Sequence, residues 1–180
     1  MNLWGWILKC FGWKVDITVP YRDKAVICVA PHTSNWDFIA GLLAYRSLGR
    51  KASFLMKKFW FFFPLKYLLK ALGGIPVDTS SSQSLTLAII ADFKRSKKLN
   101  LAVTPEGSRS AVENWRTGFL TIAYNADVPI QLGVIDFKNK VVLIRKEFTP
   151  SGDYYRDLKE IRKYYSGFKN AARFPDKFIP

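Results

Sequence analysis

Apolar positions along this chain change their period several times. Between Met1 and Trp13, Trp4, Ile7, Leu8 and Phe11 recur at helical spacing, with Lys9 and Lys14 beside them. That spacing predicts a short N-terminal amphipathic helix. Ala25–Ala30 is a continuous, partly β-branched apolar run and reads as a buried strand. Helical spacing returns from about Asn35 to Leu48. Phe54–Gly73 is both aromatic and basic, and its second half predicts a helix opened by Pro64 at its first position and closed by Gly73. Leu65, Leu68, Leu69 and Leu72 share one face of that helix, and Lys66 and Lys70 share another. The polar stretch Thr79–Ser84 reads as a capping loop for a helix over Leu85–Lys98. Strands are predicted at Leu101–Thr104, Ile130–Ile135 and Val141–Phe148, and helices at Phe119–Ala126 and Asp153–Tyr165. Strands alternating with helices give an α/β single domain, a mixed and mostly parallel sheet flanked by helices. Residues 1–20 are read as an N-terminal interfacial helix and lead-in, with a terminal helix docked on the core as the equal alternative, and residues 21–180 as the main domain.

Composition narrows the partners. The 180 residues include 28 aromatics and 28 Lys or Arg against 14 Asp or Glu, for a net charge of +14. With 49% hydrophobic residues the chain is too apolar for a disordered basic tail. The charge calls for an anionic partner: nucleic acid, an acidic membrane surface, or an acidic or phosphorylated substrate. Basic residues are spread, with 11 Lys or Arg against 3 Asp or Glu in residues 1–70 and 17 against 11 in the rest. No zinc finger, RNP motif or basic zipper is present, so nucleic acid is not the expected partner. Cys10 and Cys28 form no disulfide framework and no metal-ligand spacing, which points to a reducing compartment. No apolar run approaches the roughly 20 residues of a membrane-spanning helix, and Lys9 interrupts any signal-peptide core. Membrane contact is therefore expected to be peripheral, at the cytoplasmic face.

His32 is the chain's one histidine, and a neutral-pH imidazole base has no other source. It stands between a predicted buried strand and a predicted helix, where α/β folds place functional groups. Asp37, five residues on, meets His32 if the histidine is in the loop and the aspartate in the first helical turn. The carboxylate then orients the imidazole as in a Ser-His-Asp site without the serine. Equally, Ser34–Asp37 reads as a capping box. A second cluster, Glu106-Gly107-Ser108-Arg109-Ser110, follows another strand. Gly107 allows close backbone approach, and Ser108, Arg109 and Ser110 are suited to a phosphate. An ordinary polar turn has the same composition. Arg116 offers a second cation nearby.

Together these blocks resemble the glycerolipid acyltransferase family typified by lysophosphatidic acid acyltransferases. His32 and Asp37 match its His-x4-Asp block, and Gly73-Gly74-Ile75-Pro76-Val77-Asp78 resembles its second, glycine-rich block. Glu106-Gly107-Ser108-Arg109-Ser110 matches its Glu-Gly-Thr-Arg-Ser block, and Val128-Pro129-Ile130 its Val-Pro-Ile strand entry. The resemblance implies acyl transfer from acyl-CoA or an acyl carrier protein thioester to a lysolipid hydroxyl, with no metal and no cofactor. His32 is then the general base and Asp37 its orienting partner. Glu106, Gly107 and Arg109 hold the acceptor head group, with Arg116 assisting. Many members carry an arginine directly after the acidic residue of the second block, where this chain has Thr79. The implied acceptor, 1-acyl-sn-glycerol-3-phosphate, thus has a rival in a lyso-amino-lipid of the lyso-ornithine type. A thioesterase, a non-catalytic membrane-binding relative and a nucleic-acid-binding module are the competing classes. Aromatics and lysines in Met1–Lys14 and Phe54–Lys70 flank the His32 block, so Lys57, Lys58, Lys66 and Lys70 are expected to meet an anionic membrane.

Overall fold

A computed structural model describes residues 2–78 and 82–180. In chain order the helices are α1 (Leu3–Cys10), α2 (Asn35–Ser47), α3 (Leu65–Leu72), α4 (Ser82–Arg95), α5 (Gly118–Asn125) and α6 (Tyr154–Ser166). The strands are β1 (Lys14–Ile17), β2 (Lys24–Val29), β3 (Ser53–Lys57), β4 (Gly74–Val77), β5 (Leu99–Val103), β6 (Ile130–Asp136) and β7 (Val141–Phe148). They form one seven-stranded sheet in the order β1-β7-β6-β2-β5-β3-β4. Among the described residues only β6 and β7 pair antiparallel, as expected of two strands joined by a tight turn. This is the mostly parallel α/β sheet flanked by helices that the alternation of periods predicts.

β2 is central, with β5 on one side and β6 on the other. Its side chains alternate between two buried faces: Val26 and Cys28 join the larger core, and Ile27 a smaller one opposite. Burial on both faces is why the strand reads as an unbroken apolar run. The chain leaves β2 toward β3 and later crosses from β5 to β6 in the opposite direction. Right-handed crossovers then put the connecting helices on opposite faces. On one face α4, α5 and α6 cover the sheet through Phe93, Leu120, Ile161 and Tyr165. On the other, α2 faces it with Ala40, Ala44 and Tyr45.

α1 packs on α2. Leu8 is buried with Ala40, Ala44, Ile135 and Val142, which stabilises the docked helix by about 1.5–3 kcal/mol. An eight-residue helix is marginal alone, so this contact, with Asn2 capping Gly5 N–H and donating to Arg46 and Ser47 carbonyls, holds it in place. The three N-terminal tryptophans divide accordingly. Trp13 packs edge-on against Phe137, Trp4 lies under the Arg46 guanidinium, and Trp6 is exposed. Phe11 sits at the C-cap, outside the helix, and is exposed.

Several expectations change. β1, β3 and β4 are strands that the periodicity does not announce. Pro64 is the N-cap of α3 and not its first helical residue, while Gly73 ends the helix in the left-handed region as expected (φ +102°). Of the four leucines read as sharing one face, Leu69 is buried and Leu68 is exposed. α4 begins at Ser82, three residues before the expected Leu85. Much of the Thr79–Ser84 capping loop, Thr79 included, lies outside the described residues.

Candidate active site

The loops after β2 and β5 leave the sheet at the same end, because the two strands are parallel neighbours with Cys28 opposite Val103. Such carboxyl ends are where open α/β sheets collect their functional groups. Ser34 is the N-cap of α2, its hydroxyl accepting from Trp36 N–H at 3.0 Å. Asp37 Oδ2 accepts from the Thr33 and Ser34 N–H groups, both at 2.8 Å, and completes a capping box. The same oxygen lies 3.1 Å from His32 Nδ1. That approach is at ion-pair distance but off the line of a hydrogen bond. Both sequence readings of Asp37 therefore hold in one geometry: it caps α2 and faces the imidazole. The Asp37 side chain is 3% exposed and that of His32 19%. With Nδ1 toward Asp37, Nε2 is the ring nitrogen left for chemistry.

Glu106 is turned inward. Its Oε2 accepts the His32 backbone N–H at 2.8 Å, and the residue is buried. Burial pushes its carboxyl up to about 8, the Asp37 charge adds to this, and the His32 N–H opposes it. Near neutral pH it is therefore mostly protonated. Its contact is with the loop that carries His32, whereas the resemblance gave it the acceptor head group. Gly107 stands at φ +64°, and a Cβ there would lie 2.6 Å from Arg116 Nε, so the Arg116 side chain runs across the glycine. The Arg109 guanidinium donates to Asn35 Oδ1, linking the two loops a second time. Ser108 turns into its own loop, its hydroxyl accepting from Ser110 N–H at 3.1 Å.

Beside these groups lies a cavity of about 1550 Å³. His32, Asp37, Gly107, Arg109 and Arg116 line its polar part, and Phe38, Gly41, Ile27, Leu55, Leu69 and Phe119 are among its apolar walls. The structure thus brings His32, Asp37, Gly107, Arg109 and Arg116 to one space. Glu106 and Ser108 support it from within the loops.

The family model for acyltransferases matches residues 15–134, from β1 into β6. The chain belongs to the glycerolipid acyltransferase family. No curated protein matches it. Membership makes it an acyltransferase of lipid biosynthesis, working between an acyl donor and a lipid acceptor. The matched region contains both loops that this acyltransferase brings together.

Two contributors carry no signal that the motifs single out. Asn35, inside the His-x4-Asp block, is the acceptor that orients Arg109. The C-terminal segment, beyond the matched region, touches the same loop: Phe174 N–H donates to Thr33 Oγ1 at 3.3 Å, and the Arg173 guanidinium lies 5.6 Å from the Trp36 ring centre. Asn35 was open to notice as a polar neighbour of the dyad. The long-range contacts from Arg173 and Phe174 were not.

Proposed function

We propose that the protein transfers a fatty acyl group from an acyl thioester, carried by coenzyme A or acyl carrier protein, to the free hydroxyl of a lysolipid. The acceptor best supported is 1-acyl-sn-glycerol-3-phosphate. One observation carries the proposal: an imidazole backed by a buried carboxylate at the polar end of a largely apolar cavity that also receives two arginines. Nε2 of His32 takes the proton from the acceptor hydroxyl as its oxygen attacks the thioester carbonyl. Asp37 balances the charge that develops on the ring. When the tetrahedral adduct collapses, the C–S bond breaks and the imidazolium returns its proton to the departing thiolate. Arg109 and Arg116 meet the acceptor's phosphate, since guanidinium groups pair with phosphate in bidentate fashion. The apolar walls take acyl chain. Glu106 holds the His32 backbone in place.

The lysolipid reading places the protein at the cytoplasmic face of a membrane, bound peripherally. No helix among the described residues is long and apolar enough to cross one. Thr79, in place of the arginine of many relatives, favours a second acceptor, a lyso-amino-lipid without a phosphomonoester. Labelled acyl-CoA and acyl carrier protein thioester, each offered with a panel of lysolipids, separate these readings. Acylated lysophosphatidic acid, absent with His32→Ala, is the expected product. Acylation of the ornithine lysolipid alone reassigns the acceptor, and free fatty acid alone makes the protein a thioesterase.

A further inference from the structure

The segment between α2 and β4 contains the most exposed aromatic surface of the molecule. Phe59 is 79% exposed and Phe63 75%, and Trp60, Phe62, Tyr67 and Leu68 are each at least half exposed. They belong to a 3₁₀ turn at Lys58–Trp60, the bend after it and the first half of α3. Large apolar side chains gathered on one edge mark an interaction surface. Their ring contacts stay within the segment: Phe59 with Trp60, and Phe63 with Tyr67. Lys57, Lys58 and Lys70 are exposed among them, and Lys66 lies over the Tyr67 ring. From Phe38 to Val77 there is no Asp or Glu, while Arg46, Arg50, Lys51, Lys57, Lys58, Lys66 and Lys70 fall in the same span. Lys57, Trp60, Leu65 and Leu69 also line the cavity that holds His32.

We propose that this edge, Lys57–Lys70, is the surface that docks on an anionic bilayer, with Phe59, Phe63, Tyr67 and Leu68 entering the lipid. Docked this way, the side of the cavity that Trp60 and Leu65 line faces the membrane, and the acceptor enters sideways from the leaflet. Charge selects the occupant. A two-fold contact between copies would set this wholly basic segment against itself, which costs energy. An anionic lipid surface attracts each lysine and accepts the aromatics at its interface. α1 is tied to the same neighbourhood. Arg46 donates to the Ala71 carbonyl in α3 at 3.1 Å and stacks on Trp4 at 5.7 Å. The exposed Leu3 and Trp6 extend the apolar surface from that side.

The docking surface stands independently of acyl transfer; the sideways entry rests on it. Sedimentation with phosphatidylcholine–phosphatidylglycerol vesicles and with pure phosphatidylcholine vesicles tests the first. Wild type and His32→Ala are expected to bind the anionic vesicles alike. Phe59→Ser/Phe63→Ser should bind at least about tenfold more weakly, and Lys58→Glu/Lys66→Glu/Lys70→Glu roughly a hundredfold, at about fivefold or more per lysine. Circular dichroism confirms that each variant is folded. Wild-type binding by both variants overturns the surface, as does a wild-type dimer in light scattering that the variants convert to monomer. For the entry route, the Phe59→Ser/Phe63→Ser variant should lose turnover on vesicle-borne lysolipid and keep it on a short-chain lysolipid dispersed in water. Equal loss on both overturns the route. Absence of turnover in wild type, with vesicle binding intact, would fault the acyl-transfer reading instead.

Discussion

Pro31–Asp37 and Lys57–Lys70 each follow a parallel strand and lead into a helix, β2 into α2 and β3 into α3, yet they are held in opposite ways. In the first, nearly every polar group has a partner. Asp37 takes two backbone N–H groups and faces His32, and Glu106 takes a third N–H from the neighbouring loop. In the second, Leu69 is the one buried residue, and Phe59, Trp60, Phe62, Phe63 and Tyr67 are exposed. The role proposed for the first requires a geometry held to a fraction of an ångström, which its hydrogen bonds supply. The docking proposed for the second needs exposed area and charge, and no fixed partners.

The largest effect expected of this contrast is at His32. His32→Ala should lower acyl transfer by about 10²–10⁴-fold without changing the melting temperature, as measured by initial rates and thermal unfolding. A near-normal rate would break the comparison at its catalytic end. Asp37→Ala comes next and should affect both properties. It strands the Thr33 and Ser34 N–H groups and removes a cap, for about 2–3 kcal/mol of stability, besides lowering the rate. Denaturant titration beside the kinetics separates the two losses, and Asp37→Asn should recover part of the stability but not the rate.

Glu106 sharpens the contrast through pH. Its folded value near 8 lies above the ordinary 4.5, so the folded protein keeps a proton that the unfolded chain releases between those values. Stability therefore falls as pH rises through that window, by at most about 1.4 kcal/mol per pH unit from this group. Glu106→Gln resembles the protonated acid and still accepts the His32 N–H. It should remove that slope, leaving the variant more stable than wild type at pH 8, as read by urea unfolding across the range. Smallest of all is the expected effect of Phe59→Ser on folding, within about 0.5 kcal/mol. A cost of several kcal/mol would mean that Phe59 belongs to the core and not to the docking edge.

How far the sequence could be read differs between the same two regions. The His32–Asp37 spacing pointed to the dyad, and the cap that competed with it proved to be the same carboxylate seen from its other side. That Glu106 turns inward to the His32 N–H could not be read, because a loop of polar residues and glycine does not disclose which side chain is buried. β3 went unread inside the aromatic run, and β4, an edge strand containing Pro76, has too little strand character of its own. Both are strands because β5 and β3 offer them a hydrogen-bonding edge. Leu68 shared the helical spacing of Leu65, Leu69 and Leu72, yet only Leu69 of the four is buried and Leu68 faces solvent.

From sequence alone came the α/β class, the long strands and helices, the ordered family blocks, the charge of +14 and the clustering of aromatics with lysines. These are local patterns, fixed by side-chain period and composition. Tertiary structure decided which loops meet, because the parallel pairing of β2 with β5 joins residues some 75 positions apart. It decided that Trp13 packs on Phe137 while Trp6 faces solvent. It also raised the Glu106 carboxyl, since desolvation exists only once the loops have closed over it.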